Sequence, residues 1–492
     1  MRRIRLLLIG CLWLLSFIVC AQEEETQNAL SYKVEAFGSA ASGDHTPFWL
    51  VSNRYGVVPL DAGNGYLKPG VFFHQSFGKG FRWGAGIDLV ASAPRYRNIY
   101  IQQLYAELGY KSLLLSIGSK ERTTSLWDLA LSSGDMVLSP NARPIPEISL
   151  SMPNYTVVPL TKGWMQIKGG FAVGRSFDKA YLEHFANEKQ VYNDNILWHH
   201  KSVFVRMKDT KNAFPLSVEV GVRHWAQWGG TSTDPEIGVQ PHSLKDFARI
   251  VFGKAGGEGS SISDSINVLG NHYGSYDFRL GYSAKNWDAF VYHQNYFEDK
   301  SGMIFNNHPD GLWGLQVNLQ SLPWLQKVVV EHMNTRYQTG PFHFILFDRD
   351  KYPKALGGGG DDYYNNGEYL TGTSYFTRGL GSPLLLSPEY NEDGDLTFRH
   401  NRIRAWHTGL QGKVSSTVDY RFLLSHTTSW GTSYKPVLNI KESASGLVEI
   451  TYRHPHLEGW SFTGSVAVDT GDYVGKGIGF GLCVSRRGVL DF

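Results

Sequence analysis

The chain has 492 residues and a formal net charge of +2, and 19% of its residues are charged, below the usual ~25%. This balance excludes a protein that neutralises nucleic acid with a large basic surface. Glycine is abundant at 54 residues, and aromatic side chains make up 14% of the chain, which predicts an ordered protein rich in strands.

The N-terminal residues 1–21 are typical of a secretory signal peptide. Three arginines lie within the first five residues, and an apolar run extends from Leu6 to Val19. Small residues then follow at Val19-Cys20-Ala21, which predicts that the mature chain begins at Gln22. A lipoprotein attached through Cys20 is the alternative. Residues 22–492 are expected to form one domain.

Beyond the signal peptide, many segments alternate between apolar residues and small or polar residues. From Phe81 to Leu89 the odd-numbered residues are apolar, whereas the even-numbered ones are arginine, glycine or aspartate. From Gly477 to Val484 the even-numbered residues are apolar and the odd-numbered ones are glycine or cysteine. A period of two predicts strands with one apolar face.

The alternation fits either a transmembrane barrel or a soluble β-sandwich. No run of 18 apolar residues follows the signal peptide, so a helical span is not predicted, whereas an exported chain can still cross a bilayer as a closed barrel. Aromatic residues along the predicted strands favour the barrel, because interfacial girdles require them. They include Tyr100, Tyr105 and Tyr110 on one strand and Trp287, Tyr292 and Tyr296 on another.

Connection lengths predict the topology. Short turns alternate with long connections if Asn154–Pro159 counts as a strand, which gives about 18 antiparallel strands with the long loops outside. The expected long loops are Ser39–Gly70, Lys120–Met152, Arg175–Ile196, Trp228–Ser275, Thr335–Asn401 and Thr427–Gly446. The predicted fold is therefore all-β, a transmembrane outer-membrane β-barrel with long external loops and a few short helices.

One helix signal lies inside a long loop. Ser243 and Asp246 have the spacing of a capping box, and apolar residues from Leu244 to Phe252 follow at helical intervals. The pattern predicts a short helix that packs within its own loop.

Sequence signatures of catalysis and of metal binding are weak. No GxSxG, HExxH or P-loop motif is present, so no catalytic residue and no cofactor are predicted. Ser425-His426 and His199-His200 are the pairs from which a barrel hydrolase could be built. Asn391–Asp395 carries hard oxygen ligands, but its spacing differs from an EF-hand, and a solvated acidic turn is the expectation.

The strongest chemical pattern is the mixture of aromatic, amide and acidic residues in the long loops. Sugars present apolar C–H faces and many hydroxyl groups, which flat rings and planar polar groups can bind. We therefore regard one set of residues as a candidate carbohydrate site, with packing of the loops as the alternative. The set is Trp228, Asp361, Asp362, Tyr363, Tyr364, Asn365 and Asn366.

Several segments, in consistent order along the chain, resemble the capsule assembly Wzi family. They are Thr46–Leu50, Ser52–Gly56, Ala142–Pro146, Trp228–Thr231, Gly311–Gly314, Glu331–Thr335 and Asp361–Tyr375. The resemblance implies an outer-membrane barrel of about 18 strands that acts as a lectin and holds capsular polysaccharide on the cell surface.

Pattern and resemblance together predict a non-enzymatic outer-membrane protein that attaches or organises surface polysaccharide. Its expected partners are that polysaccharide and the lipid of the outer membrane, and no nucleic acid. A diffusion porin or a glycan-uptake channel is the alternative. The two differ in the lumen, which long loops would fill in a lectin and leave open in a channel.

Overall fold

The computed structural model describes residues 29–211, 213–257, 268–340 and 360–490. Within them, eighteen strands form one sheet. The strands are β1 (Ala29–His45), β2 (Asp61–Phe77), β3 (Phe81–Ala93), β4 (Ile99–Tyr110), β5 (Leu113–Ser119), β6 (Glu147–Val157), β7 (Met165–Arg175), β8 (Leu197–Lys208), β9 (Leu216–Trp228), β10 (Asn271–Ser283), β11 (Trp287–Phe297), β12 (Gly311–Leu319), β13 (Lys327–Asn334), β14 (Ile403–Lys413), β15 (Val418–Gly431), β16 (Pro436–Arg453), β17 (Trp460–Gly471) and β18 (Gly477–Leu490). The predicted signal peptide lies outside the described residues, so the boundary at residue 21 stays a prediction.

The sheet closes on itself. Each strand pairs antiparallel with the next, and β1 pairs both with β2 and with the last strand, β18, in a register that sets Phe37 opposite Cys483. Closure gives every strand two neighbours, so no edge is left with unpaired backbone groups. The predicted antiparallel barrel is confirmed.

The period of two separates the outer wall from the lumen. On β3 the side chains of Trp83 and Ile87 are exposed on the outer wall, whereas Asp88 is buried in the lumen. On β18 Phe480 and Leu482 are exposed on the outside. Apolar residues therefore face the surface that lipid covers, as the alternation predicts.

Short turns lie at one rim and most of the long loops at the other, which we call the external rim because barrels of this kind keep their long loops outside. The expected long loop Thr427–Gly446 is wrong: β15 continues to Gly431 and β16 begins at Pro436, which leaves residues 432–435 as the connection. The loop Ser39–Gly70 likewise shrinks to 46–60. Strand ends above the membrane meet no lipid, so the apolar alternation that marks a strand disappears there.

The expected aromatic girdle is wrong in part. Trp287 faces outward, but Tyr105, Tyr292 and Tyr296 are buried inside the barrel. Tyr292 stacks on Trp127 of an external loop, with 4.8 Å between the ring centroids. These aromatic residues belong to the interior packing.

Four short helices occur in the described residues: α1 (Phe48–Val51), α2 (Lys179–Phe185), α3 (Leu244–Phe252) and α4 (Lys300–Met303). Two small ladders join Asn193–Asp194 to Thr231–Ser232 and Ser374–Tyr375 to Arg378–Gly379. None of the described helices has the length and apolar character needed to cross a membrane.

Helix α3 carries the capping box that the sequence predicts, with Ser243 and Asp246 bonded reciprocally. Its packing differs from the prediction. Phe247 stacks on Trp228 at 5.3 Å between ring centroids and also meets Phe171 of the outer wall at 6.3 Å. The helix therefore lies against the outside of the barrel, because its apolar face finds outward-facing rings there.

External loops fill the lumen. One hydrophobic core joins residues of α1, of loop 120–146 and of loop 335–402 to inward residues of the wall. Trp49, Leu131, Tyr364 and Leu385 from these loops are at most 2% exposed. Side chains of these loops are therefore packed against the wall inside the lumen.

Loop 120–146 begins after β5 and makes contacts on distant strands of the wall. Asp128 forms an ion pair with Lys327 on β13. The Ser132 and Ser133 hydroxyls donate to the two Glu331 carboxylate oxygens, each at 2.6 Å. The loop is thus fixed across the lumen by polar contacts as well as by the apolar core.

Because of this packing, we expect planar-bilayer recordings of the purified protein to show little steady current. Replacing residues 124–140 by a short glycine–serine linker removes the crossing loop and should produce a stable conductance. A change confined to the exposed turn at Ser415 and Ser416 is the control and should leave the barrel closed. A porin-sized conductance of the unmodified protein would contradict a filled lumen.

Candidate functional site

Tyr363 and Tyr364, expected to present their rings to a sugar, are fully buried, each with 0% exposure. The Tyr363 ring meets Tyr296 edge-on at 4.9 Å between centroids. The Tyr364 hydroxyl donates to the Met136 carbonyl at 2.6 Å and accepts from the Ser382 amide at 3.1 Å. The expectation of outward rings is wrong, because the apolar rings complete the core in the lumen.

The polar neighbours of these tyrosines bind their own loop. Asn365 clamps the backbone of Phe398, donating to its carbonyl at 2.9 Å and accepting from its amide at 2.8 Å. Asp362 accepts from the side chains of Asn401 and Asn365 at 2.5 and 3.2 Å. Asn366 accepts from the amides of residues 368 and 369, both at 2.9 Å. Side chains engaged in this way hold the loop in shape.

Trp228 is also buried, at 5% exposure, and it lies outside the barrel wall beneath α3. It is therefore separated from the Asp361–Asn366 stretch by the wall, and the structure does not bring the two parts of the candidate site together. The Trp-Gly-Gly sequence does not indicate which face of the strand the tryptophan occupies. In the structure its ring lies on the outer face, where Phe247 of α3 stacks on it.

Asp361 lies in an acidic environment. Burial, aided by the charges of Asp299 and Asp310, raises the pKa of Asp361 to about 8. Burial also raises the pKa of nearby Glu298, to which the charge of Asp361 contributes. Glu298 accepts from the Tyr364 amide at 2.7 Å, so this acidic group lies where loop 335–402 meets the loop after β11.

The paired residues that could build a hydrolase are structural in this fold. Ser425 faces the lumen and lies 2.7 Å from His407 Nδ1, while His426 points to the opposite face. His407 Nε2 donates to the Leu131 carbonyl at 2.8 Å, and both members of the Ser425–His407 pair are at most 2% exposed. Both side chains therefore hold loop 120–146 against the wall.

The second histidine pair and the acidic turn are likewise engaged. His200 lies 2.8 Å from Glu147 Oε2, and it stacks on Trp225 at 4.2 Å between ring centroids. In the acidic turn, Arg399 forms ion pairs with Asp393 and Asp395. In the part of the chain that the structure describes, no three His, Cys, Asp or Glu side chains gather as a metal site would require.

A different group of side chains lies together at the external rim, contributed by four connections of the chain and by the start of β4. We call it the arginine–aromatic shelf. It consists of Arg95, Tyr96, Tyr100, Arg143, Tyr181 and Phe376.

Arg143 is the centre of the shelf. Its guanidinium carbon lies 4.1 Å from the centroid of the Tyr100 ring and 4.3 Å from that of Phe376, so the cation is held between two rings. One of its amino groups donates to the Ile101 carbonyl at 2.9 Å. Such stacking holds the planar group while leaving its N–H edges available.

Arg95 adds a second cation beside the first. It donates to the carbonyls of Val57 and Gly56 at 3.0 and 2.7 Å and to the Tyr100 hydroxyl at 3.1 Å. Burial is the main cause that lowers the pKa of Arg143, and the charge of Arg95 contributes. The two arginines therefore form a region of concentrated positive charge.

The aromatic part of the shelf continues outward. Tyr181 of α2 meets Phe376 at 5.3 Å and Tyr96 edge-on at 6.0 Å between ring centroids. Tyr96 is 37% exposed and lies against His184 at 4.8 Å. The shelf thus has an exposed ring, Tyr96, at its outer end and a half-buried cation, Arg143, at its centre.

The sequence carries only weak signals for the shelf. Arg143 falls within the Ala142–Pro146 segment that resembles the family, and Arg95, Tyr96 and Arg97 form an arginine–aromatic–arginine triplet in a short connection. Each signal is local and common. Only the folded loops bring these residues together as a candidate site.

Comparisons with known proteins found a matching family and solved structures of similar fold. The family model described as capsule assembly protein Wzi matches residues 23–384. The solved structure of Wzi from Escherichia coli, an outer membrane protein involved in group 1 capsule assembly and a carbohydrate-binding β-barrel, is similar to this chain, with a TM-score of 0.57 and 11% identity over 92% of this chain and 83% of that one. At this identity the likeness shows a shared fold. No curated protein matches the chain.

Two further solved barrels resemble the chain less. Pseudomonas aeruginosa OpdQ has a TM-score of 0.48 and 10% identity over 95% of this chain and 100% of that one. Acinetobacter baumannii OccAB4 has a TM-score of 0.48 and 9% identity over the same shares.

Replacing Tyr364 by Phe keeps the ring but leaves the Met136 carbonyl and the Ser382 amide without their partner. A buried group left unsatisfied costs about 1–3 kcal/mol. We therefore expect faster proteolysis of loop 335–402 in the folded protein and a lower urea concentration at the midpoint of unfolding. Tyr337→Phe, at an exposed ring of the same loop, is the control, and equal behaviour of the two variants would contradict a packing role for Tyr364.

The raised pKa of Asp361 predicts a pH dependence. Between pH 4 and about 8 the folded protein holds a proton on Asp361 that the unfolded chain has released, so stability falls as the pH rises through this window and changes no further above it. We expect loop 335–402 to be cleaved by protease more readily at pH 9 than at pH 5. Asp361→Asn should flatten that dependence, and an unchanged slope in the variant would assign it to other groups.

Proposed function

This chain belongs to the capsule assembly Wzi family and is an outer-membrane β-barrel, and from that premise we propose that it is a non-enzymatic lectin that holds capsular polysaccharide at the cell surface. In this proposal the lipid of the outer membrane surrounds the apolar wall, and the polysaccharide is bound at the external rim.

The filled lumen is the observation that carries this proposal. A diffusion porin or an uptake channel needs an open path, whereas three external loops here share one buried core with the wall. To let a solute pass, the loops would have to leave the lumen, and this movement would expose many fully buried side chains to water. The same packing gives a lectin a rigid external surface, and rigid sites lose less entropy on binding.

We assign carbohydrate binding to the arginine–aromatic shelf. Its exposed ring, Tyr96, can lie against the C–H face of a sugar, and Arg143 can donate to hydroxyl oxygens. The residues Trp228 and Asp361–Asn366 enter the proposal as support for the loops, because their rings and polar groups are engaged within the protein.

A single shelf would bind weakly. An aromatic contact contributes about 0.5–1.5 kcal/mol beyond area burial, and a neutral hydrogen bond contributes a similar net amount. A repeating polymer engages many copies of the protein on one cell, and such multivalency can raise retention by ~10²–10⁴. Weak individual sites are therefore compatible with a polymer that stays on the surface.

The test is the distribution of capsule between cells and medium. We expect the double variant Tyr96→Ala, Arg143→Gln to assemble as a barrel, with unchanged heat-modifiable gel mobility, and to release several-fold more polysaccharide into the medium. Tyr337→Ala removes an exposed ring of the external loops that is not part of the shelf, and it should retain capsule normally.

Two results would count against the assignment. Normal retention by the folded double variant would exclude the shelf as the attachment site. Normal retention by cells that lack the protein entirely would exclude polysaccharide attachment as its function.

A further inference from the structure

The positive charge of the shelf is not compensated in the way that buried charge is compensated elsewhere in this protein. Arg223 is bonded to two aspartates, and Glu449 pairs with Arg54 and Arg421. Arg378 pairs with Glu389 in the same way. Each of these buried arginines is therefore matched by a carboxylate.

Arg95 and Arg143 depart from this pattern. In the described part of the chain, their bonds go to carbonyl and hydroxyl oxygens, and neither guanidinium pairs with a carboxylate. Asp178 acts on Arg143 through space, but its Oδ2 accepts from the Phe376 amide at 3.2 Å. Burial raises the pKa of Asp178 to about 6, and its carboxylate is bonded to the backbone of the loop and not to the guanidinium.

The rings around Arg143 also limit how its charge can be satisfied. Tyr100 and Phe376 lie 4.1 and 4.3 Å from the guanidinium carbon, and these rings supply no acceptor that neutralises its charge. A half-buried cation that lacks a carboxylate partner is stabilised most by an anion that reaches its N–H edges. Arg97, whose guanidinium carbon lies 5.7 Å from the centroid of Tyr96, extends the positive charge to the exposed end of the shelf.

From this arrangement we propose that the shelf recognises an acidic sugar residue, one that carries a carboxylate, within the surface polysaccharide. The inference rests on the proposed function and specifies the chemical class of its ligand. The carboxylate accepts hydrogen bonds from the guanidinium edges, while the apolar face of the same sugar ring lies against Tyr96.

The guanidinium geometry favours a carboxylate. The planar fork of an arginine matches the two oxygens of a carboxylate in a bidentate pair, and hydrogen bonds of this charge-assisted kind are stronger than those to neutral hydroxyl groups. The flat sugar ring that carries the carboxylate supplies the C–H face for which an exposed tyrosine is suited. A neutral sugar would leave the charge of Arg143 uncompensated.

Direct binding measurements test the inference. The full-length barrel, purified in detergent, is titrated calorimetrically with oligosaccharides of polygalacturonate and with the same oligosaccharides after reduction of their carboxyl groups. We expect the acidic oligosaccharides to bind at least about tenfold more tightly than the reduced ones, and this preference to fall as salt increases.

Variants locate the interaction. Arg143→Gln should remove most of the preference for the acidic probe, and Arg143→Lys, which keeps the charge but loses the fork, should restore part of it. Arg336→Gln is the matched control, because Arg336 also lies over a ring, that of Trp430 at 4.0 Å, but belongs to another part of the external rim. Tyr96→Ala should weaken both probes alike, and its exposed position makes misfolding no concern.

The outcomes separate the inference from the function on which it rests. Equal binding of acidic and reduced oligosaccharides would overturn the acidic class and leave polysaccharide attachment in place. Binding of neither probe, together with normal capsule retention by cells without the protein, would overturn the proposed function itself. Equal binding of dextran sulfate would overturn the choice of a carboxylate, and equal losses in Arg143→Gln and Arg336→Gln would overturn the shelf as the site.

Discussion

The buried ion pairs of Arg223 fix the arrangement on which the rest of the molecule depends. Arg223, on β9, pairs with Asp277 of the neighbouring strand and with Asp135 of loop 120–146, each at 2.7 Å. All three side chains are at most 1% exposed, and removing one partner of such a pair typically costs about 3–5 kcal/mol. Asp277 already binds two nitrogens of Arg223, and the remaining amino group binds Asp135, which holds the loop in the lumen. Once Asp135 is in place, the preceding serines reach Glu331 on the wall.

The loops packed in the lumen support the external surface of the barrel from below. Loop 335–402 packs on loop 120–146, as the bond from Tyr364 to the Met136 carbonyl shows. Because both loops are held from below, the side chains at their external ends have fixed positions. Arg143 and Phe376 come from these two loops, and their close contact depends on that support. The rigidity of the external rim is thus a consequence of the packing beneath it.

The outer wall has a separate physical task. Its exposed apolar side chains, such as Ile87 and Leu482, meet lipid, and they have no part in the packing of the loops. An exception is the region under α3, where Phe247 covers Trp228 and approaches Phe171. The helix extends the loop across the wall, so part of the loop packs on the surface that elsewhere faces the membrane.

The sequence by itself determined that the chain forms strands with one apolar face, because the alternation of apolar and polar residues along a strand depends on neighbours two positions apart. That local period was readable from Phe81 to Leu89 and from Gly477 to Val484. It failed where strands leave the membrane, as at Gly431, since no lipid selects an apolar face there. Only the tertiary structure decided that Tyr364 is buried and that Arg143 lies between two rings. Tyr364 bonds to a residue 228 positions away, and no local pattern encodes a contact of that span.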